Sequence, residues 1–587
     1  MPLHNSSNMD YMIKQPLQNN TSKLLQIIKS HSVLFNVFLL VSTVSLLLVI
    51  IGQLKQNDDV VPSEQNTSRS SNVTLLKPAF SQMAAYPLQV STNNRFLVDQ
   101  NNQPFLLVGD AAWSLIVQLA RPDINDYLSN RKQKGFNTVL VNLIDHQFAS
   151  NAPRNIYGDA PFTGAPFITP NEAYFAHADY VISTAAQKGI NVLLAPLYLG
   201  YKCGSEGWCS EVQAASLSDM TLWGQYIGNR YKDYPNIIWV IGGDTNPSLY
   251  GVADKVEAFV AGLKQYDNVH LITAHNTSGE MAVTPWAGVP WLTLNNIYTD
   301  NQTYPLAQTA YNYRPVFPFF TIEGNYENEH GITQQQLRAE GYWTYLSGGF
   351  GYVFGNCPIW HFGATEGWCD RNTIGWKEAL DSPGSVDVSY MSTLFASRPW
   401  QSLEPDWHHS VVTSGYGSFG NSDYVTASMT PDGKLAIIYI PTTRTIAVDM
   451  SRFSDTMTAR WYDPADGTYV AISDSPFNNS GTRKFSTPDL NSSGDGDWIL
   501  VLEANSNATS TTTPASTYTP TRTSPSSTPI QISPTLPDTQ TSSPLPPVSP
   551  TPETPNSPLP CANGILGVGS LFLAAAGFSS LIRKVWM

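Results

Sequence analysis

Two segments of the chain, Asn236-Ile-Ile-Trp-Val-Ile-Gly-Gly-Asp244 and Pro318-Phe-Phe-Thr-Ile-Glu323, are apolar runs that stop at a carboxylic acid. A run of this kind reads as a buried strand that delivers one charge to the rim of a sheet or barrel. Two such acids on opposite walls of one cleft could divide the work of cleaving a glycosidic bond. One would give a proton to the leaving oxygen and the other would oppose the anomeric carbon. In that scheme Asp244 is the general acid/base and Glu323 the nucleophile. Burial and the neighbouring negative charge would raise the pKa of Asp244 and keep it protonated. A separation of ~5.5 Å would predict retention of configuration, and ~6.5–9.5 Å inversion. The alternative is a pair of ion-paired scaffold acids.

These acids need a framework to bring them together. From about Tyr86 to Arg398 short apolar runs alternate with amphipathic stretches. Strands are expected at 104–110, 138–144, 191–197, 236–244, 270–275, 291–297, 318–323 and 350–354. Helices are expected at 123–134, with Asp123 as a cap, and at 172–188, 217–231, 252–266 and 334–346. Eight β/α repeats over roughly 300 residues point to an α/β fold, a (β/α)8 TIM barrel. A doubly wound open sheet competes, but no Gly-rich phosphate loop follows the first strand. After Trp400 short strand-like runs such as 435–440 and 498–502 alternate with turn residues, which predicts a small all-β sandwich.

In a barrel the chemistry lies at the strands' C-terminal ends. Besides the pair, that rule selects Asp110 and Trp113 to hold a sugar, His146 within Asp145-His146-Gln147, and His275, Asn296 and Tyr298. It also selects Tyr326 and Glu327 just after Glu323, and Trp360 beside His361 to close one side. Gly242-Gly243 would clear side chains from the path of a substrate, or form a bulge or tight turn. Neither His-Glu-x-x-His nor Gly-x-Ser-x-Gly occurs, so zincin and α/β-hydrolase chemistry have no motif here. No cofactor and no metal is expected.

The whole chain has 587 residues and a formal net charge of −14, which argues against nucleic acid as a partner. Fifteen Trp and 28 Tyr suit a protein that stacks rings on sugar faces, although a large core also uses them. Cys203, Cys209, Cys357 and Cys369 are closely spaced in pairs, as in two local disulfides of an exported protein. Four cysteines permit three pairings, and zinc is the competing use. Residues 33–52 are long enough to span a bilayer, and Lys14, Lys23 and Lys29 ahead of them place the N-terminus in the cytoplasm. A second apolar stretch, 564–582, is followed by Arg583 and Lys584. It reads as a returning span, or as a processed tail of the cell-wall sorting or GPI kind. The Ser/Thr/Pro-rich segment between them and the folded part cannot bury enough apolar surface to fold, and reads as an extended stalk.

The expected organisation is therefore a cytoplasmic tail (1–32), a transmembrane signal anchor (33–52), a polar linker (53–83), the barrel (84–399), the β-sandwich (400–505), the stalk (506–562) and a C-terminal transmembrane or sorting segment (563–583). The barrel would lie outside the cell membrane, with a poly- or oligosaccharide as partner and substrate.

Five segments carry a family likeness: Val108-Gly-Asp-Ala-Ala-Trp-Ser-Leu115, Lys134-Gly-Phe-Asn137, the stretch from Tyr231 to Asp244, His270-Leu-Ile-Thr-Ala-His275 and Glu323-Gly-Asn-Tyr-Glu327. Together they resemble the apiosidase-like glycoside hydrolases, family 140 and its relatives, over residues 86–400. The resemblance implies a TIM barrel with an Asp acid/base and a Glu nucleophile, at Asp244 and Glu323. Relatives read Asp-Gly-Glu-Pro around the nucleophile, where this chain has Thr321-Ile322-Glu323-Gly324. After His275 they have a Pro-x-Gly stretch, and here Asn276-Thr-Ser-Gly follows. The likeness thus carries the reaction type, not the sugar. The segment after the barrel resembles the domain labelled collagen-binding in these proteins. A carbohydrate-binding surface protein or adhesin without turnover, and a surface protease suggested by that label, are the alternative functions.

Overall fold

The structure is a computed structural model that describes residues 83–363, 369–370 and 374–504. The expected tail, anchor, stalk and C-terminal segment, and all but Met83 of the linker, lie outside the described residues. Among the described residues no helix is long and apolar enough to cross a membrane.

Eight parallel strands form a nearly closed barrel of the TIM kind. They are β1 (Leu107–Ala111), β2 (Thr138–Asn142), β3 (Asn191–Ala195), β4 (Ile237–Gly242), β5 (Ile272–His275), β6 (Asn295–Tyr298), β7 (Phe319–Glu323) and β8 (Gly351–Asn356). Their order is β5-β4-β3-β2-β1-β8-β7-β6. Alternation sorts the side chains. Leu107, Leu140, Leu193, Ile238, Val240, Phe320 and Ile322 fill the barrel interior. Val139, Val141, Val192, Leu194, Trp239 and Ile241 face the surrounding helices. With both faces covered, β2, β3 and β4 read as near-continuous apolar runs rather than as alternating ones. Each fully buried Leu, Ile or Phe contributes about 1.5–3 kcal/mol of transfer free energy.

The barrel's seam lies between β5 and β6, which share no regular ladder. Instead the N–H groups of Thr293 and Leu294 donate to Ile272 O at 2.9 and 3.1 Å. Asn296 Nδ2 donates to Thr273 Oγ1 and Ala274 O at 2.8 and 2.7 Å. The expectation of eight complete repeats is corrected here, because residues 276–294 contain no helix.

The helices are α1 (Arg121–Gln133), α2 (Glu172–Gln187), α3 (Leu217–Tyr231), α4 (Ala253–Leu263), α5 (Thr303–Asn312), α6 (Gln334–Leu346) and α7 (Pro383–Ala396). Capping boxes, Ser216 with Asp219 and Thr333 with Gln336, start α3 and α6. Ala120, not Asp123, is the N-cap of α1, with Pro122 in its first turn.

Nine antiparallel strands follow: β9 (Glu404–Pro405), β10 (Val412–Ser414), β11 (Thr426–Met429), β12 (Leu435–Ile440), β13 (Thr445–Asp449), β14 (Met457–Tyr462), β15 (Tyr469–Ala471), β16 (Thr482–Ser486) and β17 (Trp498–Ala504). They form a six-stranded sheet, β9-β11-β12-β17-β14-β15, and a three-stranded one, β10-β13-β16. Ile438, Ile440, Leu500 and Leu502 pack between the sheets. Ile437, Tyr439, Ile499 and Val501, on the other face, pack against Tyr342, Met391 and Phe395 of α6 and α7. Buried Arg338 of α6 joins the two parts, with Asp387 at 2.9 Å and Asp495 and Asp497 each at 2.8 Å.

Candidate active site

The barrel's C-terminal rim brings Asp244 and Glu323 to the two sides of one imidazole. Gly242, Gly243 and Asp244 all have positive φ (81°, 153° and 53°), which turns the chain off the end of β4. A non-glycine residue there costs about 1–2 kcal/mol, least for Asp or Asn. The strained N–H of Asp244 donates to His275 Nδ1 at 2.8 Å. A nitrogen that accepts a hydrogen bond carries no proton, so the neutral ring holds its proton on Nε2. Nε2 lies 2.6 Å from Glu323 Oε2, in a close but poorly aligned contact.

The register shift between Thr321 and Glu323 in β7 turns Glu323 toward this interior. Its other oxygen, Oε1, accepts from the Tyr326 hydroxyl at 2.7 Å. Tyr326 accepts in turn from Trp113 Nε1 at 3.0 Å. Glu323 thus has a well-formed hydrogen bond at one oxygen and a close contact at the other, with its side chain 13% exposed to the cleft.

Asp244 is held more loosely. Tyr198 donates to its Oδ2 at 3.5 Å, the outer limit of a hydrogen bond, and buried Oδ1 has no well-formed partner. Burial, then the negative charge of Glu323, pushes its pKa up to about 7, against the opposing pull of the Tyr298 hydroxyl. Near neutral pH a substantial fraction of Asp244 therefore holds a proton.

Aromatic rings wall the pair. Tyr298 stacks on His275 at 5.1 Å between centroids, and Trp113 meets His275 edge-on at 5.5 Å. Tyr198, unremarked in the sequence, packs on Trp113 at 5.6 Å. A Cβ on Gly243 would come within 2.2 Å of the Tyr198 ring. Gly243 is therefore glycine to admit Tyr198, which corrects the reading that it clears a path for substrate. Trp360 lies in the same interior cluster and meets Phe148 at 5.0 Å. His146 sits apart on the rim, edge-on to Trp208 at 4.6 Å, with Nε2 3.3 Å from Glu211.

Three expected sugar contacts are scaffold groups. Asp110 is 0% exposed and faces outward. It accepts from Tyr127 at 2.7 Å and lies 3.4 Å from Arg131, while burial pushes its pKa up to about 6. Buried Asn296 uses its amide to close the β5–β6 seam. Buried Glu327 accepts from Asn356, Ser382 and the N–H of Gly384 in the first turn of α7. There it complements the helix dipole.

Sequence reasoning also passed over acids beyond the pair. Asp300 and Glu329 sense the charge of Glu323, and burial raises both, Glu329 to about 7. Glu340 of α6, pushed up to about 8 by burial, accepts from the N–H and the amide of Asn325 next to the Glu323 turn. Position offered a signal only for Asp300, two residues beyond β6. The cysteines pair as Cys203–Cys209 and Cys357–Cys369, with Cα atoms 5.2 and 5.5 Å apart. His361 approaches the second bridge, 3.4 Å from Cys369 Sγ. Bonded sulfurs are not the thiolates that a metal would require.

Comparison with known proteins places this geometry among relatives. A family model described as "Apiosidase-like, catalytic domain" matches residues 91–402. A model described as "Putative collagen-binding domain of a collagenase" matches residues 409–503. Among solved structures, a glycoside hydrolase family 5 protein from Bacteroides vulgatus superposes with a TM-score of 0.62 at 24% identity, covering 71% of this chain and 93% of its own. A second protein, titled glycoside hydrolase, superposes with a TM-score of 0.62 at 26% identity, covering 72% and 97%. No curated protein matches.

Proposed function

Since this chain belongs to the apiosidase-like family and is a glycoside hydrolase, we propose that it cleaves O-glycosidic bonds with Asp244 as acid/base and Glu323 as nucleophile. The observation that carries this reading is the unequal treatment of the two carboxyls. Glu323 is oriented at one oxygen by the Tyr326 hydroxyl, and its other oxygen lies against His275 Nε2. Asp244 has a long bond from Tyr198 and the Tyr298 hydroxyl to set against its burial and the charge of Glu323, and is pushed up to about 7, which favours the acid. A pair held this way has its two roles assigned before substrate enters.

In the first step Asp244 gives its proton to the leaving oxygen as the exocyclic C–O bond breaks, and Glu323 forms a bond to the anomeric carbon. In the second, Asp244, now ionised, takes a proton from a water whose oxygen displaces Glu323. The sugar leaves as a hemiacetal and both carboxyls return to their starting states. This two-step course is that of a retaining enzyme. The aromatic walls suit the apolar faces of sugar rings. For its setting we propose a membrane-tethered, extracytoplasmic enzyme acting on plant or microbial polysaccharide. The apolar segments near both ends and the two disulfides support that setting.

Replacing Glu323 with Gln keeps the shape and removes the nucleophile. The E323Q variant should melt within a few degrees of the parent and lose at least about 10³-fold in kcat on aryl glycosides. NMR of the first-formed product should show the substrate's anomeric configuration. Full activity in E323Q would remove the nucleophile assignment. Glycan binding without cleavage by the parent would favour the adhesin reading.

A further inference from the structure

A large cavity lies away from the acids. A cleft of about 1390 Å³ opens between the sandwich and the end of the barrel where strands begin. Its wall includes Arg95 and Phe96 near the N-terminal end of the described chain, Tyr311 of α5, Trp400 and Gln401 of the connector, and Lys434 before β12. Asp244 and Glu323 stand at the strands' opposite ends, so this is a separate site.

The lining is organised. The Arg95 guanidinium lies 3.8 Å over the Tyr311 ring, and its Nη1 donates to Tyr311 O at 2.7 Å. Among the described residues Nε and Nη2 of Arg95 have no hydrogen-bond acceptor, so this anchored group keeps donors for a ligand. Trp400 is partly buried and meets Phe96 at 5.9 Å and 71°, which fixes its plane. Gln401 supplies both a donor and an acceptor beside it. Glu404, Asp432, Asp455 and Glu503 also line the cleft, so acids outnumber its two cations. That balance disfavours polyanions. Fixed rings interleaved with donors and acceptors fit a neutral ligand with apolar faces and many hydroxyls.

We propose that this cleft is a second carbohydrate-binding site, which holds a stretch of neutral oligosaccharide several rings long without cutting it. The proposal goes beyond the hydrolysis reading and does not depend on the roles of Asp244 and Glu323.

The test uses full-length E323Q protein in affinity gel electrophoresis against soluble β-glucan, mannan, xylan and arabinogalactan, with a collagen-like peptide as a parallel arm. At least one polysaccharide should retard the protein. Adding R95A with Q401A should weaken that retardation at least fivefold, and W400F should weaken it less. The same cleft substitutions in the otherwise native chain should leave kcat on a small aryl glycoside within twofold and the melting temperature within a few degrees. Should R95A with Q401A fail to fold, Q401A alone should still weaken retardation at least twofold. The proposal fails if no polysaccharide retards the protein, if the folded cleft variants are retarded as strongly as E323Q, or if only the peptide binds. Loss of aryl glycoside hydrolysis in the parent would strike the hydrolase reading alone.

Discussion

At the scale of single residues, the site turns on hydrogen bonds that distinguish one carboxyl from the other. A bond to a charged group is worth about 1.5–3 kcal/mol. Tyr326→Phe should therefore lower kcat by roughly 10–150-fold, each 1.4 kcal/mol being about tenfold. The melting temperature should change little. The pH profile checks Asp244 directly. The acid works only while protonated, and its pKa is raised to about 7. Activity should fall as pH rises through that value, and Asp244→Asn should abolish this limb and leave a low, flatter profile. A parent rate that stays level to pH 9 would contradict the assignment. Strand-end position alone selected Asp244 and Glu323, but it also selected Asp110. The difference is backbone regularity. Asp110 sits in an unbroken strand, where alternation sends it outward with Val108 to Tyr127 and Arg131. Glu323 would point outward too, with Thr321, were it not for the register shift in β7. Such a shift leaves no mark in residue types. Glu327 follows the plain rule, alternating outward while Tyr326 turns in.

At the scale of elements, apolar period and caps made most of the barrel legible. The helices expected at 217–231 and 334–346 coincide with α3 and α6, both begun by capping boxes. By contrast α5 has only ten residues, Pro305 in its first turn and no side-chain cap to mark its start. The β5–β6 loop was correctly left without a helix, yet counting repeats implied one. Close helix packing was equally silent. α3 and α4 approach so nearly that a Cβ on Gly224 would lie 2.0 Å from Phe259 O, and one on Gly262 2.1 Å from Thr221 O. Backbone cannot yield as a side chain does. Gly224→Ala should force the helices apart and destabilise the fold by about 1–3 kcal/mol. Thermal melting should show the loss, while KM for an aryl glycoside stays near the parent value because these helices lie outside the cleft. An unchanged melting temperature would mean that the two helices pack less tightly than described.

At the scale of the whole molecule, the barrel and the sandwich share a core, which their sequences conceal. The run Leu435–Ile440 reads as a buried strand, but its composition does not say that one face belongs to the sandwich and the other to α6 and α7. Arg338 is the polar centre of that junction, 1% exposed among Asp387, Asp495 and Asp497. Arg338→Met preserves much of the volume and strands carboxylates without a cation. Breaking one side of a buried ion pair costs about 3–5 kcal/mol, so the variant should melt several degrees lower. The pH dependence separates lost charge from lost packing. Burial already raises Asp387 to about 7 and also raises Asp497, against the pull of Arg338. Without that pull both should rise further above their unfolded values. Groups raised in the fold contribute stability that is full below the unfolded pKa, near 4, and is lost as pH climbs through the folded one. The deficit of R338M relative to the parent should thus be small at pH 5 and large at pH 8.5. An equal deficit at both would assign the effect to packing, and none at either would show that the junction does not need its cation.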